Sequence, residues 1–190
     1  MAVPTLIRRL LGKQRAPRSD ASIPEFFTHK AQQQGYTLSA GQTQAIAAMA
    51  RETGHLLDGQ ATRGLYLHGP VGRGKSWLLD GFFQALPLAE KQRVHFHDFF
   101  ARLHRGMFQH REQDDALGVT LDELLADCRV LCFDEFQVTD VADAMIMSRL
   151  FAEFWTLGGV LVATSNRQPS DLYQHGLQRN LFLPFIGTLE

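Results

Sequence analysis

Little in this chain could cross-link it, carry it through a bilayer or draw it to a polyanion by bulk charge. Only two of its 190 residues are cysteines, Cys128 and Cys132, too few for a disulfide framework. Cys132 falls inside an apolar strand-like run, as in a reduced intracellular chain, and both thiols read as core packing rather than as redox or metal groups. No apolar run approaches the roughly 20 residues of a membrane helix, so no membrane span is expected. Nineteen basic residues nearly cancel twenty acidic ones, leaving a formal net charge of −1. That balance argues against nucleic acid as a partner, although a local basic patch stays open. Internal repeats and low-complexity segments are missing too.

What is present suits one globular domain with a real core: 45% of residues are hydrophobic and 21% charged. Residues 1–22 are basic, with Arg8, Arg9, Lys13, Arg15 and Arg18 ahead of the first acid, Asp20. They read as a disordered N-terminus of a bacterial cytoplasmic protein, with a mitochondrial transit peptide, and hence the matrix, as the alternative. Residues 23–62 read as a helical preamble broken at Gly41. Over 63–190 short β-prone runs alternate with longer helical patterns: "GLYLH" then 75–86, "RVHFH" then 98–111, "RVLCF" then 140–156, "GVLVAT" then 170–176. Such alternation predicts an α/β fold, a parallel sheet flanked by helices. Pro87 and Gly158-Gly159 mark helix ends, and Thr120 with Glu123 reads as a capping box before a short helix.

The stretch "GPVGRGKS" carries the chemistry. Gly69, Gly74, Lys75 and Ser76 fit the P-loop pattern, and a strand before with a helix after supplies its context. A loop nearly free of Cβ atoms, here through Gly72 and Gly74, lets backbone N–H groups converge on phosphate oxygens at a helix N-terminus. Gly69, Pro70, Val71, Gly72, Arg73, Gly74, Lys75, Ser76 and Trp77 are therefore the candidate ATP contacts. Lys75 would reach the β/γ-phosphates and Ser76 would offer its hydroxyl to Mg²⁺. "RVLCFDEF" is an apolar strand ending in two acids. Asp134 fits the carboxylate that holds Mg²⁺ through water, and Glu135 the base that polarises the attacking water. Asn166, after "GVLVAT", is the candidate γ-phosphate sensor, with Ser165 the lesser choice; an Asn there can also be a turn former. Arg179 is the candidate arginine for a neighbouring subunit's ATP, with Arg167 behind it; the alternative is a surface cation.

Other residues carry less. His95 and His97 would share one face of a strand, as two metal ligands can, but no third ligand is spaced nearby and packing is the preferred reading. His104, His110 and Arg111 read as a solvated face, "HREQDDALG" as a mobile loop, and Met145, Ile146, Met147, Leu150, Phe151 and Phe154 as core on a helix that is apolar almost all round.

The blocks "RGLYLHGPVGRGKSWLLD", "QRVHFHDFFARLH", "VLCFDEFQVTDVADAM" and "LVATSNRQPSDLYQHGLQRNLFLPFI" together resemble the ZapE-type AAA+ ATPases, bacterial relatives of the mitochondrial lactation-elevated ATPases. The resemblance implies a P-loop NTPase of AAA+ type that hydrolyses ATP with Mg²⁺ as a cytoplasmic homo-oligomer, a hexamer with nucleotide being one form open to it. It also implies an association with the division-ring protein FtsZ. Catalysis would fall to Lys75, Asp134, Glu135, Asn166 and, across a subunit boundary, Arg179. The family's strand order is 5-1-4-3-2, and the chain ends at Glu190 before a fifth strand and a helical lid. An incomplete C-terminus with residues 64–68 as a sheet edge is the expectation. A nucleotide switch or scaffold without significant hydrolysis, and a helicase-loader-like protein, are the other readings.

Overall fold

The computed structural model describes residues 22–62 and 64–190; the basic segment 1–21 and Arg63 lie outside the described residues. The elements run α1 (Ile23–Gln33), α2 (Ala40–Leu57), β1 (Leu65–His68), α3 (Lys75–Ala85), β2 (Lys91–His95), α4 (Phe96–Gln109), α5 (Ala116–Leu124), β3 (Val130–Asp134), α6 (Val141–Thr156), β4 (Val160–Ser165), a 3₁₀ turn (Pro169–Asp171) and α7 (Arg179–Leu189). The four strands pair in parallel in the order β1-β4-β3-β2, so among the described residues β1 and β2 are the edges.

Strand alternation sorts the core into two layers. Leu131, Phe133, Leu161 and Ala163 of the central strands face a phenylalanine-rich layer from α4, α6 and α7. Val130, Cys132, Val160 and Val162 face the other way, onto Leu78, Leu79 and Phe82 of α3 and, behind them, Phe27 of α1 and Met49 of α2. Asp134 follows Cys132 by two residues and so comes out on the α3 side, where the P-loop lies. Both cysteines are buried in these layers, and burial pushes each thiol up to about 12, the inert state of packed sulfur.

The preamble is part of this core. α1 and α2 each begin with a capping box, Ser22 with Glu25 and Ser39 with Gln42. The break between them falls at Gly35, whose φ is 67°, and not at Gly41, which sits in the first turn of α2. α1 is fastened to α3 by the Phe27–Trp77 ring contact at 5.3 Å, the Trp77 Nε1–H donated to Gln34 Oε1 at 2.6 Å, and Lys30 paired with Asp80 at 2.8 Å.

Several local expectations fail for tertiary reasons. β2 stops at His95, which N-caps α4, so His97 lies on a helix and the two histidines share no strand face. Thr120 caps nothing: Asp115 accepts from the Gly118 N–H and starts α5 earlier, while Thr120 is buried mid-helix against Gly106. Within 110–118, expected as one loop, residues from Ala116 on are helical, and Asp115 also pairs with Arg149 at 2.6 Å. His104 and Arg111 do lie on a solvated face, His104 meeting Asp143 at 2.6 Å and His110 meeting Glu123 at 3.0 Å there, whereas Met145, expected in the core of α6, is exposed. Residues 170–176 form only a 3₁₀ turn, and the helix comes later, as α7, despite Pro184 inside it. Phe182, Phe185 and Ile186 recur at helical spacing, and Phe185 stacks on Phe151 and Trp155 at 5.3 and 6.0 Å. That burial outweighs the backbone hydrogen bond that proline removes.

Two glycines test the α1–α3 contact. A Cβ at the buried Gly81 would overlap the Phe27 ring, whereas Gly54 in α2 has nothing within 4 Å. Gly81→Ala should lower unfolding stability by about 1–3 kcal/mol through overpacking, and Gly54→Ala should raise it by up to about 1 kcal/mol through helix propensity. Urea unfolding of the two variants measures both signs.

Candidate nucleotide site

The P-loop emerges from β1 and closes on α3. Gly72 and Gly74 both sit at positive φ, 80° and 79°, the left-handed backbone that glycine adopts without strain. Gly74 is the residue immediately before α3, and a Cβ there would approach Gln42 Nε2 to 2.7 Å. Lys75 folds back along the loop and donates to Gly69 O at 2.7 Å and Pro70 O at 2.8 Å. Burial lowers its pKa, and the charge of Asp134 works against that.

Asp134 and its partners form the other half. The carboxylate is 2% exposed. Its Oδ1 accepts from Ser76 Oγ at 2.9 Å and from Thr164 Oγ1 at 2.6 Å; its Oδ2 accepts from Arg93 Nη2 at 2.9 Å. Burial by itself would raise the Asp134 pKa, but the hydroxyls of Thr164 and Ser76, with the Arg93 charge, more than offset it and hold the carboxyl below its ordinary value. The site thus keeps an ionised carboxylate beside the Ser76 hydroxyl. That hard-oxygen pair fits a Mg²⁺ ion shared with phosphates.

Glu135 is exposed and its φ is 56°, an uncommon backbone for a non-glycine residue. Thr164 Oγ1 accepts the Glu135 N–H at 3.1 Å, and the Phe136 N–H is donated to Thr164 O at 2.7 Å. One buried threonine therefore fixes both acids at the end of β3. Asn166 lies just past β4 and is exposed. Ser165 is buried and donates to Phe136 O at 2.8 Å, which makes it a packing group. Arg179 opens α7, its guanidinium donating to Ser170 O at 2.6 Å and Leu172 O at 3.4 Å. Trp77 lines the groove beside the P-loop while packing on Phe27 and Tyr36.

Thr164 and Arg93 escaped the sequence reading. Thr164 hides in the apolar run "GVLVATSN", and only the β3–β4 register, Phe133 against Ala163, sets it next to Asp134. Arg93 stands opposite Cys132 and reaches one step up the sheet. A groove of about 1190 Å³ adjoins the P-loop, lined by Tyr36, Leu38, Gln42 and Ala45 of the preamble as well as by Gly72 to Lys75.

Thr164→Val keeps the shape and removes the hydroxyl, leaving the Glu135 N–H unpaired. We expect about 1–3 kcal/mol of lost stability at neutral pH. Because the hydroxyl depresses the Asp134 pKa, its contribution is present above the unfolded carboxylate value of about 3.9 and is lost as pH falls through the lower folded value. The gap between wild-type and variant stabilities should therefore narrow in acid, down to the share that comes from the unpaired Glu135 N–H. A gap that stays constant with pH would show that the hydroxyl's bond to Asp134 contributes nothing.

Comparison with known proteins agrees with this geometry. The chain is 48% identical over 128 residues to the cell division protein ZapE of Escherichia coli K12, covering 67% of this chain and 34% of that protein. It is 41% identical over 140 residues to lactation elevated protein 1 homolog B of Danio rerio, covering 67% of this chain and 28% of that protein. It spans about a third of the length of these curated relatives. Among solved structures, domain III of the Thermotoga maritima replication initiation protein DnaA superposes with a TM-score of 0.63 at 20% identity, over 83% of this chain and 62% of that one. DnaI gives 0.61 at 20% identity, over 80% and 81%. At such identities the likeness is one of fold, the AAA+ P-loop fold expected from the strand and motif order. The AFG1-like ATPase family matches residues 9–190, and with glycine loop, lysine, serine and paired acids each on its proper element, the chain belongs to that family.

Proposed function

We propose that this chain binds ATP with Mg²⁺ and hydrolyses it, working as a cytoplasmic homo-oligomer on a protein partner of the division machinery. The observation that carries the reading is the meeting of Ser76 and an ionised, buried Asp134 at 2.9 Å beside a glycine-rich loop whose lysine lies along it. A bare strand-to-helix turn has no need of a buried carboxylate at its mouth, since burying one is costly without partners.

Residues Gly69 to Ser76 cradle the phosphates, and Lys75 exchanges its loop carbonyls for β- and γ-phosphate oxygens. Its contacts with Gly69 O and Pro70 O show that the side chain reaches across the loop. Ser76 would ligate Mg²⁺ and Asp134 would hold it through water, and the ion when bound would offset charge on the phosphates. Glu135 takes a proton from the water that attacks the γ-phosphorus as the bond to the β–γ bridging oxygen breaks and ADP leaves. Asn166 orients that water. The groove between the preamble and the P-loop takes the nucleoside, with Tyr36 and Gln42 beside it. Arg179, anchored on its own chain's carbonyls, serves a neighbour's γ-phosphate. FtsZ is the partner that the family resemblance supplies.

Lys75→Ala should weaken ATP binding about a hundredfold, read by titration with a fluorescent ATP analogue. Glu135→Gln should bind as wild type does while turnover drops about 100- to 10,000-fold. Wild-type hydrolysis per protomer should climb with protein concentration if Arg179 acts between subunits. Tight binding with background turnover at every concentration would favour the switch reading.

A further inference from the structure

The one charged side chain bonded to Asp134 among the described residues is Arg93, and nothing in the hydrolysis scheme employs it. Its guanidinium lies between two carboxylates. Nη2 is 2.9 Å from Asp134 Oδ2, which is buried, and Nη1 is 3.8 Å from Asp80 Oδ1, whose side chain is 38% exposed. Lys30 and Gln84 both bond the other oxygen of Asp80, Oδ2, each at 2.8 Å, which leaves Oδ1 turned to Arg93. Arg93 Nε is buried with no hydrogen-bond partner, so the guanidinium is gripped at one end only. An unpaired buried N–H costs free energy, so the guanidinium is not held here by every donor it has.

We propose that Arg93 is the resident counter-cation of Asp134 and that it yields this carboxylate to Mg²⁺ by moving onto Asp80; the proposal rests on the Mg²⁺–ATP reading above. The physical reason is a conflict between charges. A carboxylate 2% exposed is stripped of water, and beside the hydroxyls of Thr164 and Ser76 it is Arg93 that supplies the bonded positive charge. A divalent cation on Ser76, held to the same carboxylate through water, would share that carboxylate with the guanidinium, and two cations repel across a poorly solvated site. Asp80 is the receiving group: it is within about an ångström of contact distance already, and its own exposure makes pairing there tolerant of change. Arg93 is thus a positioning residue, one that sets how much Mg²⁺ the site requires. Through Asp80 and Lys30 the exchange also reaches α1, so the helical preamble would register the state of the metal site.

The role gives two substitutions opposite signs, which a purely structural role does not. The readout is the half-saturating Mg²⁺ concentration for binding of a fluorescent, non-hydrolysable ATP analogue to the full chain. Arg93→Gln removes the competitor and should lower that midpoint about tenfold, while Arg93→Lys keeps a cation and should return it toward wild type. Asp80→Asn removes the receiving carboxylate and should raise the midpoint severalfold. Should Arg93→Gln fail to fold, Asp80→Asn, at a more exposed site, decides alone. An unmoved or raised midpoint in Arg93→Gln, or an unmoved or lowered one in Asp80→Asn, overturns the exchange while leaving nucleotide binding intact. A wild-type chain that binds no analogue at any Mg²⁺ concentration overturns the nucleotide reading itself.

Discussion

A carboxylate almost wholly withdrawn from water at the end of a central strand must be surrounded by donors or it will not remain charged. Asp134 is that carboxylate, and its environment draws on every part of the sheet. Ser76 comes from the helix after β1, Thr164 from β4, and Arg93 from β2, so the group is complete only when three elements around β3 are docked. Phe133 and Cys132 beneath it are 0% exposed, which fixes the strand against sliding. The same packing that makes the core therefore aims the acid at the P-loop.

Glu135 shows how that rigidity turns into chemistry. Its left-handed backbone conformation is unfavourable alone, and Thr164 sustains it by accepting the Glu135 N–H. An acid at a strand end that is free to rotate would be a poor base, because proton transfer depends on placement before it depends on pKa. Here the buried acid and the exposed acid are adjacent in sequence yet face different environments, one locked among hydroxyls and one open to solvent. The division of tasks proposed for them rests on that difference.

The preamble belongs to the same logic. α1 and α2 rest on the P-loop helix through Phe27, Trp77 and the Lys30–Asp80 pair, and the connection between them borders the groove beside the loop. Trp77 faces α1 with its ring and its N–H, so its first duty is to fasten the nucleotide loop's helix to the N-terminal helices.

Much of this was legible in the sequence, because its signals are local. A strand, a glycine-rich turn and a helix in a row define the P-loop by backbone geometry alone, and an apolar run closing on Asp134-Glu135 defines the second motif. The parallel sheet and its order followed from alternation of elements together with the family resemblance, and β1 is indeed an edge among the described residues. Several of the failures involve partners distant in sequence, and others a boundary shifted by a few residues. Thr120 looked like a cap until Gly106 claimed its methyl group, 170–176 looked helical until Phe182 and Phe185 drew the helix later in the chain, and "HFH" looked like one strand until His95 turned into α4. Thr164 and Arg93 gave no sign at all, since a hydroxyl in an apolar run and a cation in a strand gain meaning only from the neighbour that strand register provides. The sequence by itself determined which loop can hold phosphates and which acids end the strand beside it, as covalent adjacency and backbone sterics suffice for that. Tertiary structure alone decided how Asp134 stays charged and what holds Glu135 in place, because those forces act across strands and through burial.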